Sequence, residues 1–520
     1  MSPRRIALFF WLCIALLGVL CVVFPRENIH LGSVELRWAS LASVLDLEPS
    51  APPAIYTDST ELAEAVELAD QDTLPDNQSL TTNSSVAVPM VDIDTTSVQY
   101  ADTRYYLRAF YTSLSSASEQ QVRVVHYGDS QIEEDRMTLT VRRRLQEQYG
   151  GGGVGLIPLH QTIPTRTIHQ VLTMNGKVQS VQQGPRRQLV YGPKSGRRAD
   201  GRYGVMGQVA LMNDSLLAGS EQLTLMVEPM SNEKHTERYF SRLRMWSDGN
   251  IRWVYAGDTL PASQPRVLRD STTHCTLSLV GRGEVYGISL ETPTGVIVDN
   301  IPMRGCLGTV FTDISREQLT QFYRQTNTRL IIMQFGGNAI PFNEQPSTIR
   351  GIVNLLRKQV QYVHSCAPEA SILFVGPGDM TTLIDGSPAT YPLLPYMDRL
   401  LAQMAQQEHI GYYSLYRAMG GQNSMIQWQQ HGWAGSDGVH FTRRGAEKAG
   451  EQLADWLLDM PHFSSDSIPA MDELTNTQFP TRSSQHAVPN TQFPTRSSQH
   501  AVPNTQFPTR SSQHAVPNTQ

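Results

Sequence analysis

Three short apolar runs in this chain are each followed by a loop of glycine and polar residues. In chain order they are 122–127 followed by Gly128-Asp129-Ser130-Gln131, 295–299 followed by Asn300-Ile301-Pro302-Met303-Arg304-Gly305, and 330–333 followed by Gln334-Phe335-Gly336-Gly337-Asn338. Apolar runs of this length that lead into such loops indicate buried β-strands. In parallel sheets the loops at the carboxyl ends of the strands converge on one site. The chain is therefore predicted to be an α/β protein with a site at one edge of a parallel sheet.

A fourth segment, Asp437-Gly438-Val439-His440, precedes the last helical stretch of the chain. An aspartate and a histidine three positions apart can supply a general base and the group that orients it. Ser130 follows a strand and precedes a helix, so its hydroxyl can lie at the sheet edge and its N–H at a helix N-terminus, where negative charge is stabilised. These residue types favour nucleophilic catalysis by Ser130 with His440 as the base.

Taken in order, Ser130, Gly305, Asn338 and the Asp437/His440 pair resemble the four sequence blocks of the SGNH (GDSL-type) hydrolases. The resemblance covers roughly residues 100–155 and 296–460. It implies a flavodoxin-like three-layer α/β fold with a parallel sheet. It also implies a serine esterase in which Ser130, Asp437 and His440 are catalytic. The oxyanion hole would be formed by the N–H groups of Ser130 and Gly305 and by the side-chain amide of Asn338.

Several residues near the motifs depart from a known pattern or have a simple structural interpretation. Gln131 occupies the position of the leucine in the Gly-Asp-Ser-Leu motif after which the GDSL family is named. Ala339 follows Asn338, where many family members have aspartate. Ile132 occupies the place of the second glycine in a GxSxG elbow, which disfavours an α/β-hydrolase fold. The acidic run 133–135 is interpreted as a complement to a helix N-terminus, and the arginines at 142–144 as a solvated helix face.

Each candidate site residue also has an ordinary structural interpretation. Ser130 is a residue type that caps helices, and His440 can be an unremarkable loop histidine. Asp437 can form a turn while water or a carbonyl group orients the histidine. Gly305 can be required only for a turn with positive φ, and the same caveat applies to Asn338.

Residues 6–24 are uncharged and almost wholly apolar, and two arginines precede them. This length can just span a membrane, and the basic flank favours a cytoplasmic N-terminus. No A-x-A-like cleavage site follows, so residues 1–26 are predicted to be an uncleaved signal anchor that contacts the membrane through 6–24; a cleaved signal of a secreted protein is the alternative. Either way the catalytic part is expected outside the cytoplasm, on the periplasmic side of the inner membrane if anchored.

The rest of the chain divides by composition. Residues 27–98 are acidic and rich in Pro, Ser and Thr, which predicts a flexible linker. The hydrolase pattern occupies 99–155 and 295–462. Between these two parts, short alternating runs in 156–294 predict an inserted all-β sandwich, jelly-roll-like, as in some cell-wall-polysaccharide esterases of the resembled family. A 14-residue repeat with two prolines fills most of 463–520, and it predicts a disordered tail.

The composition also bears on cofactors and partners. The formal charge of −6 gives no nucleic-acid footprint. No Cys or His spacing suggests a zinc site, so neither a metal nor another cofactor is expected. Five cysteines, two of them in the apolar segment, do not form a disulfide framework.

The function expected from these residues is O-deacetylation of a cell-wall or exported polysaccharide through an acyl-enzyme, with an acetylated glycan as the partner. The sugar rests on the resemblance and the predicted location. An O-acetyltransferase would use the same site with a sugar hydroxyl as acceptor. A non-catalytic glycan-binding scaffold is the alternative from a different class. The sequence does not predict the oligomeric state.

Overall fold

A computed structural model of the protein describes residues 29–31, 34–36, 102–158, 165–174, 177–179, 223–229, 238–255, 257–261, 263–341 and 343–461. The predicted anchor at 1–26, nearly all of the linker and the tail at 463–520 lie outside the described residues. Inside the predicted linker, two three-residue strands pair in antiparallel fashion. Within the described ranges, no helix has the length and apolar character needed to cross a membrane.

The described strands are, in chain order, β1 (Ile29–Leu31), β2 (Val34–Leu36), β3 (Gln121–Gly128), β4 (Gly155–Ile157), β5 (Ile168–Met174), β6 (Lys177–Gln179), β7 (Leu223–Pro229), β8 (Phe240–Tyr255), β9 (Asp258–Pro261), β10 (Arg266–Thr272), β11 (Cys275–Glu291), β12 (Gly295–Pro302), β13 (Thr328–Gln334), β14 (Ser371–Val375), β15 (Thr381–Ile384), β16 (Ser387–Thr390) and β17 (Gly411–Tyr413). The described α-helices are α1 (Arg108–Leu114), α2 (Thr138–Tyr149), α3 (Arg316–Gln325), α4 (Pro346–Cys366), α5 (Leu394–Gln407), α6 (Leu415–Met419), α7 (Ser424–Gln430) and α8 (Arg443–Leu458).

The predicted parallel sheet is present, with five strands in the order β12-β3-β13-β14-β17. Every neighbouring pair in it runs parallel. Numbered by their order in the chain, the strands lie 2-1-3-4-5, which is the flavodoxin-like order. Their carboxyl ends are aligned, since Gly128 of β3 pairs with Pro302 of β12 and with Gln334 of β13. The loops after these three strands therefore leave the same edge of the sheet.

Helices cover both faces of this sheet because its strands are apolar on both sides. Val125 and Tyr127 of β3 belong to one core, whereas Val122 and Val124 belong to another. The first core contains residues of α3, α4 and α5, and the second contains residues of α1, α2 and α8. The α/β part consequently has three layers, with the sheet in the middle.

The part of the chain between the Ser130 loop and the Gly305 loop forms a second sheet. Its strands are antiparallel in the order β10-β8-β11-β7-β5-β6, with β4 paired to β11 and β9 to β8. Leu243, Trp253 and Ile288 lie in its separate apolar core. The described strands in this region make one sheet, and the second sheet of a sandwich is not found among them. The inserted sandwich and the domain boundaries stay predictions.

A buried cluster of charges joins the two sheets. The Arg123 guanidinium of β3 donates to both carboxylate oxygens of Asp299 on β12, at 2.7 and 2.9 Å, and it also pairs with Glu291 on β11. Glu291 in turn accepts from Arg242 and Arg244 of β8. The side chains of Arg123, Glu291 and Asp299 are 0% exposed. Because charges buried this deeply are tolerated only when paired, the cluster fixes β11 and β8 against the parallel sheet.

Candidate active site

Ser130 begins a 3-10 turn directly after β3, at the carboxyl edge of the parallel sheet. The capping position of this turn is occupied by Asp129, whose side chain accepts a 2.9 Å bond from the Gln131 N–H. The interpretation of Ser130 as the cap of this turn is therefore wrong. Its hydroxyl is instead left to contact the loop that carries His440.

Three predicted residues form a hydrogen-bonded chain. Ser130 Oγ lies 2.9 Å from His440 Nε2, and His440 Nδ1 lies 2.7 Å from Asp437 Oδ2. The other oxygen of Asp437 accepts from the N–H groups of Val439 and His440, each at 3.0 Å. Asp437 thus shapes its own turn with one oxygen and contacts the imidazole with the other. The geometry matches nucleophile, base and orienting carboxylate.

The carboxyl group of Asp437 is held in its ionised form. Burial by itself raises the pKa of Asp437, but the bond from His440 and the two backbone N–H bonds outweigh it and lower the pKa to about 2. An ionised carboxylate at this distance favours the His440 tautomer that carries its proton on the facing Nδ1. The lone pair of Nε2 is then directed at the Ser130 hydroxyl.

The backbone after Ser130 is held in an unusual conformation by ion pairs. Glu134 and Asp135 both have left-handed φ, at 60° and 62°, which costs on the order of 1 kcal/mol or more for each such residue. Asp135 is buried and pairs with Arg142, and buried Glu133 pairs with Arg304. The solvated interpretation of Arg142 is therefore wrong, and the acidic run does more than complement a helix end. These pairs fix the turn that presents Ser130.

The two remaining oxyanion candidates are arranged differently from each other. The Asn338 side chain is buried beside the Ser130 turn, and its Nδ2 donates to Cys306 O at 3.0 Å and to Asp129 Oδ2 at 3.4 Å. Gly305, the residue before Cys306, has a φ of 72°. This value confirms that the position needs a residue that tolerates positive φ. Asn338 lines the cleft described next, whereas Gly305 is not among its lining residues.

A cleft with an open volume of about 440 Å³ lies above this chain of side chains. It is lined by Ser130, His440 and Asn338, and by the 377–380 segment that follows β14 through Pro377, Gly378 and Met380. Ser130 and His440 are only partly buried. The structure therefore brings the predicted nucleophile, base and amide donor to one accessible surface. Asp437 stands behind His440, outside the lining.

Two residues of the site were not assigned a role from the sequence. Gln131 Nε2 donates a 2.7 Å bond to Val439 O, which ties the serine turn to the histidine loop. Asp129 is buried and lines the cleft. Its burial raises its pKa to about 6, although the hydrogen bond from the Gln131 N–H by itself lowers that pKa. The only sequence signal for either residue is its place next to Ser130. Asn338, the partner of Asp129, lies about 200 positions away in the chain, and Val439, the partner of Gln131, lies about 300 positions away.

Within the part of the chain that the structure describes, no three His, Cys, Asp or Glu side chains are grouped so that they could hold a metal ion. Cys275, Cys306 and Cys366 are buried and form no disulfide with one another.

No protein-family model and no curated protein matches this sequence. Among solved structures, a peptidoglycan O-acetylesterase is similar, with 19% identity, a TM-score of 0.51, and coverage of 69% of this chain and 97% of its own. A carbohydrate acetylesterase from Sinorhizobium meliloti, Est24, has a TM-score of 0.24 at 15% identity, with 31% of this chain and 77% of its own covered. An acetyl xylan esterase has a TM-score of 0.25 at 10% identity, with 31% and 80% covered.

These identities are low, so the likeness concerns the fold. The resemblance predicted from the four sequence blocks is confirmed at the level of the fold by the peptidoglycan O-acetylesterase, whose TM-score is above 0.5. The chain has an α/β fold with a parallel sheet, like that enzyme.

Proposed function

We propose that this protein is a serine esterase that removes O-acetyl groups from a cell-wall or exported polysaccharide. The observation that carries the proposal is the continuous chain from Ser130 Oγ to His440 and Asp437, with bonds of 2.9 and 2.7 Å, at an accessible cleft. In a network with only a structural role, the polar groups would all be hydrogen-bonded and would be shielded from solvent. This one ends in a hydroxyl that faces open space.

In the first half of the reaction, Ser130 Oγ attacks the carbonyl carbon of the acetyl ester. His440 Nε2 takes the hydroxyl proton as the carbon–oxygen bond forms. The tetrahedral intermediate collapses when the sugar oxygen leaves and receives that proton from His440. Asp437 remains ionised throughout and stabilises the imidazolium. The products of this half are the free sugar hydroxyl and an acetyl group on Ser130.

The negative oxygen of the intermediate requires nearby donors. Asn338 supplies one, because its 3.4 Å bond to Asp129 is at the long limit of hydrogen bonding and is easily exchanged for a bond to an oxyanion. The Ser130 N–H is the second donor in the proposal. Gly305 is the third, with the weakest support because it lies outside the cleft lining.

In the second half, water enters the cleft, gives a proton to His440 and attacks the acetyl-serine. Acetate leaves and Ser130 regains its proton. A sugar hydroxyl in place of water would make the same machinery an acetyltransferase. The polysaccharide substrate and the location outside the cytoplasm are supported by the acetylesterase fold and by the apolar segment at 6–24.

Acetate release tests the proposal. The full chain is incubated with O-acetylated peptidoglycan and with acetylated xylan, without an added acceptor, beside the variants Ser130→Ala and Ser115→Ala. Ser115 is exposed and bonds only within its own helix end, so it is a matched control. We expect release by the wild type and the control and none by Ser130→Ala. Release that survives Ser130→Ala contradicts the proposal, and ester transfer only on addition of a sugar acceptor redirects it to a transferase.

A further inference from the structure

A two-stranded ribbon projects from the wall of the cleft. It consists of β15 and β16, which pair only with each other among the described strands. Asp385 and Gly386 form its two-residue turn with φ of 49° and 76°, as expected of a type I′ hairpin. The chain enters β15 directly from Met380, which lines the cleft.

The base of the ribbon is fixed to the catalytic loop and to buried polar groups. Thr381 N donates a 3.0 Å bond to Gly438 O, between Asp437 and His440. A side chain at Gly438 would collide with Thr381 Oγ1 at 2.3 Å, so the glycine permits this contact. At the other strand, Thr390 Oγ1 donates to buried Asp379 at 2.8 Å. An isolated hairpin is marginally stable in water, and these bonds hold this one in place.

The tip of the ribbon is apolar and exposed. Leu383 is 66% exposed and Ile384 is 39% exposed. Six large apolar side chains are exposed in the described part of the chain, and these two are the only pair adjacent in sequence. Neither residue belongs to any of the three described cores. Their apolar surface is therefore not needed to hold the fold together.

The size of the cleft indicates what the tip can contact. The cleft is open to solvent and is lined by only a dozen residues around Ser130, so it cannot enclose a polysaccharide. The remainder of a polymeric substrate must lie beyond the lining residues, and the ribbon begins at the residue that follows Met380, one of these. Sugar rings present C–H faces that pack against apolar side chains, and contacts remote from the reacting bond position a large substrate.

We propose that the ribbon at 381–390 is a glycan-binding wall of the active site, in which the exposed apolar tip contacts the sugar chain bearing the acetyl group; the tip comprises Leu383 and Ile384, whose side chains leave opposite faces of the strand. The inference rests on the proposed esterase function and identifies where the polymer is held. Because these side chains contact substrate before and during the reaction alike, their loss raises KM for the polymer and leaves kcat unchanged. A small ester that fits within the cleft does not reach them.

The experiment compares the double variant Leu383→Thr/Ile384→Thr with the wild type on O-acetylated peptidoglycan, acetylated xylan and p-nitrophenyl acetate. Threonine keeps the β-branched shape favoured in a strand and removes apolar surface. The control is Val267→Thr, which changes a 65% exposed residue of β10. We expect kcat/KM on at least one polymer to fall about tenfold through KM in the double variant alone, with unchanged rates on p-nitrophenyl acetate.

Three results would overturn the inference, and each is distinguishable. Equal polymer kinetics for wild type and double variant would show that the tip does not contact the glycan, while the proposed function stands. Equal losses on the polymers and on p-nitrophenyl acetate would assign the ribbon a structural role at Gly438. A wild type that releases no acetate from either polymer would refute both the inference and the glycan part of the proposed function.

Discussion

Strand β3 carries a polar cluster at each end, and the two clusters differ in their burial. Near its start, Arg123 is fully buried between Asp299 and Glu291. Just after its end, Ser130 is partly exposed and bonds to His440 in an open cleft. Both clusters join segments far apart in the chain. Only the second presents a reactive group to solvent.

Burial and solvent access thus distinguish polar groups with a structural role from those with a chemical role on one strand. At Arg123 each carboxylate is paired with at least one guanidinium. These ion pairs hold the two sheets together. At Ser130 the donation runs in one direction, from hydroxyl to imidazole to carboxylate. Substitutions in the first cluster should change stability, and those in the second should change rate.

The largest expected effect is that of His440→Ala on the rate. Serine and base act as a unit, so removal of the imidazole should lower kcat on p-nitrophenyl acetate by about 10⁴-fold or more. The control is His431→Ala, an exposed histidine that bonds to its own helix end. It should leave kcat unchanged. A loss of only severalfold for His440→Ala would point to another base.

The next effect concerns the buried cluster. Arg123→Met leaves Asp299 and Glu291 with fewer partners in a site without solvent, which should lower the free energy of unfolding by about 3–5 kcal/mol. Arg329→Met breaks an ion pair with the largely exposed Glu369 and should cost at most about 1 kcal/mol. Urea denaturation measures both. Equal losses for the two variants would contradict the structural role assigned to the buried cluster.

The smallest effect is a pH dependence. Folding lowers the pKa of Asp437 from 3.8 to about 2, so this group contributes stability that is present above about pH 4 and is lost as the pH falls through about 2. The side chain is 21% exposed, and solvent screening limits the contribution to about 1 kcal/mol. The difference in unfolding free energy between wild type and Asp437→Asn should shrink between pH 4 and pH 2. A difference that stays constant over this range would contradict the assignment.

The sequence predicted the parts of the molecule that local patterns encode. The apolar runs before Ser130, Gly305 and Asn338 are the strands β3, β12 and β13, because a buried parallel strand must be apolar on both faces. The sequence order of the blocks also predicted that Ser130 and His440 would meet, through the family resemblance.

Other features depend on partners that no local pattern reveals. Arg142 belongs to a run that resembles a solvated face, yet it is buried because Asp135 faces it. Arg123 lies within an apolar run and was given no role, since Glu291 and Asp299 are more than 160 positions away. The Gln131 bond to Val439 likewise becomes visible only in three dimensions, whereas the Asp385-Gly386 pair in the ribbon at 381–390 is a local hairpin signal.

Covalent labelling tests the central claim, the nucleophilic role of Ser130, most directly. An alkyl fluorophosphonate forms a bond from an activated serine oxygen to phosphorus as fluoride leaves. Mass mapping of the labelled full-length protein should find one adduct, on Ser130, with loss of esterase activity in step with its formation, and much slower labelling in His440→Ala. An adduct elsewhere, or full activity after Ser130 has been modified, would contradict the account.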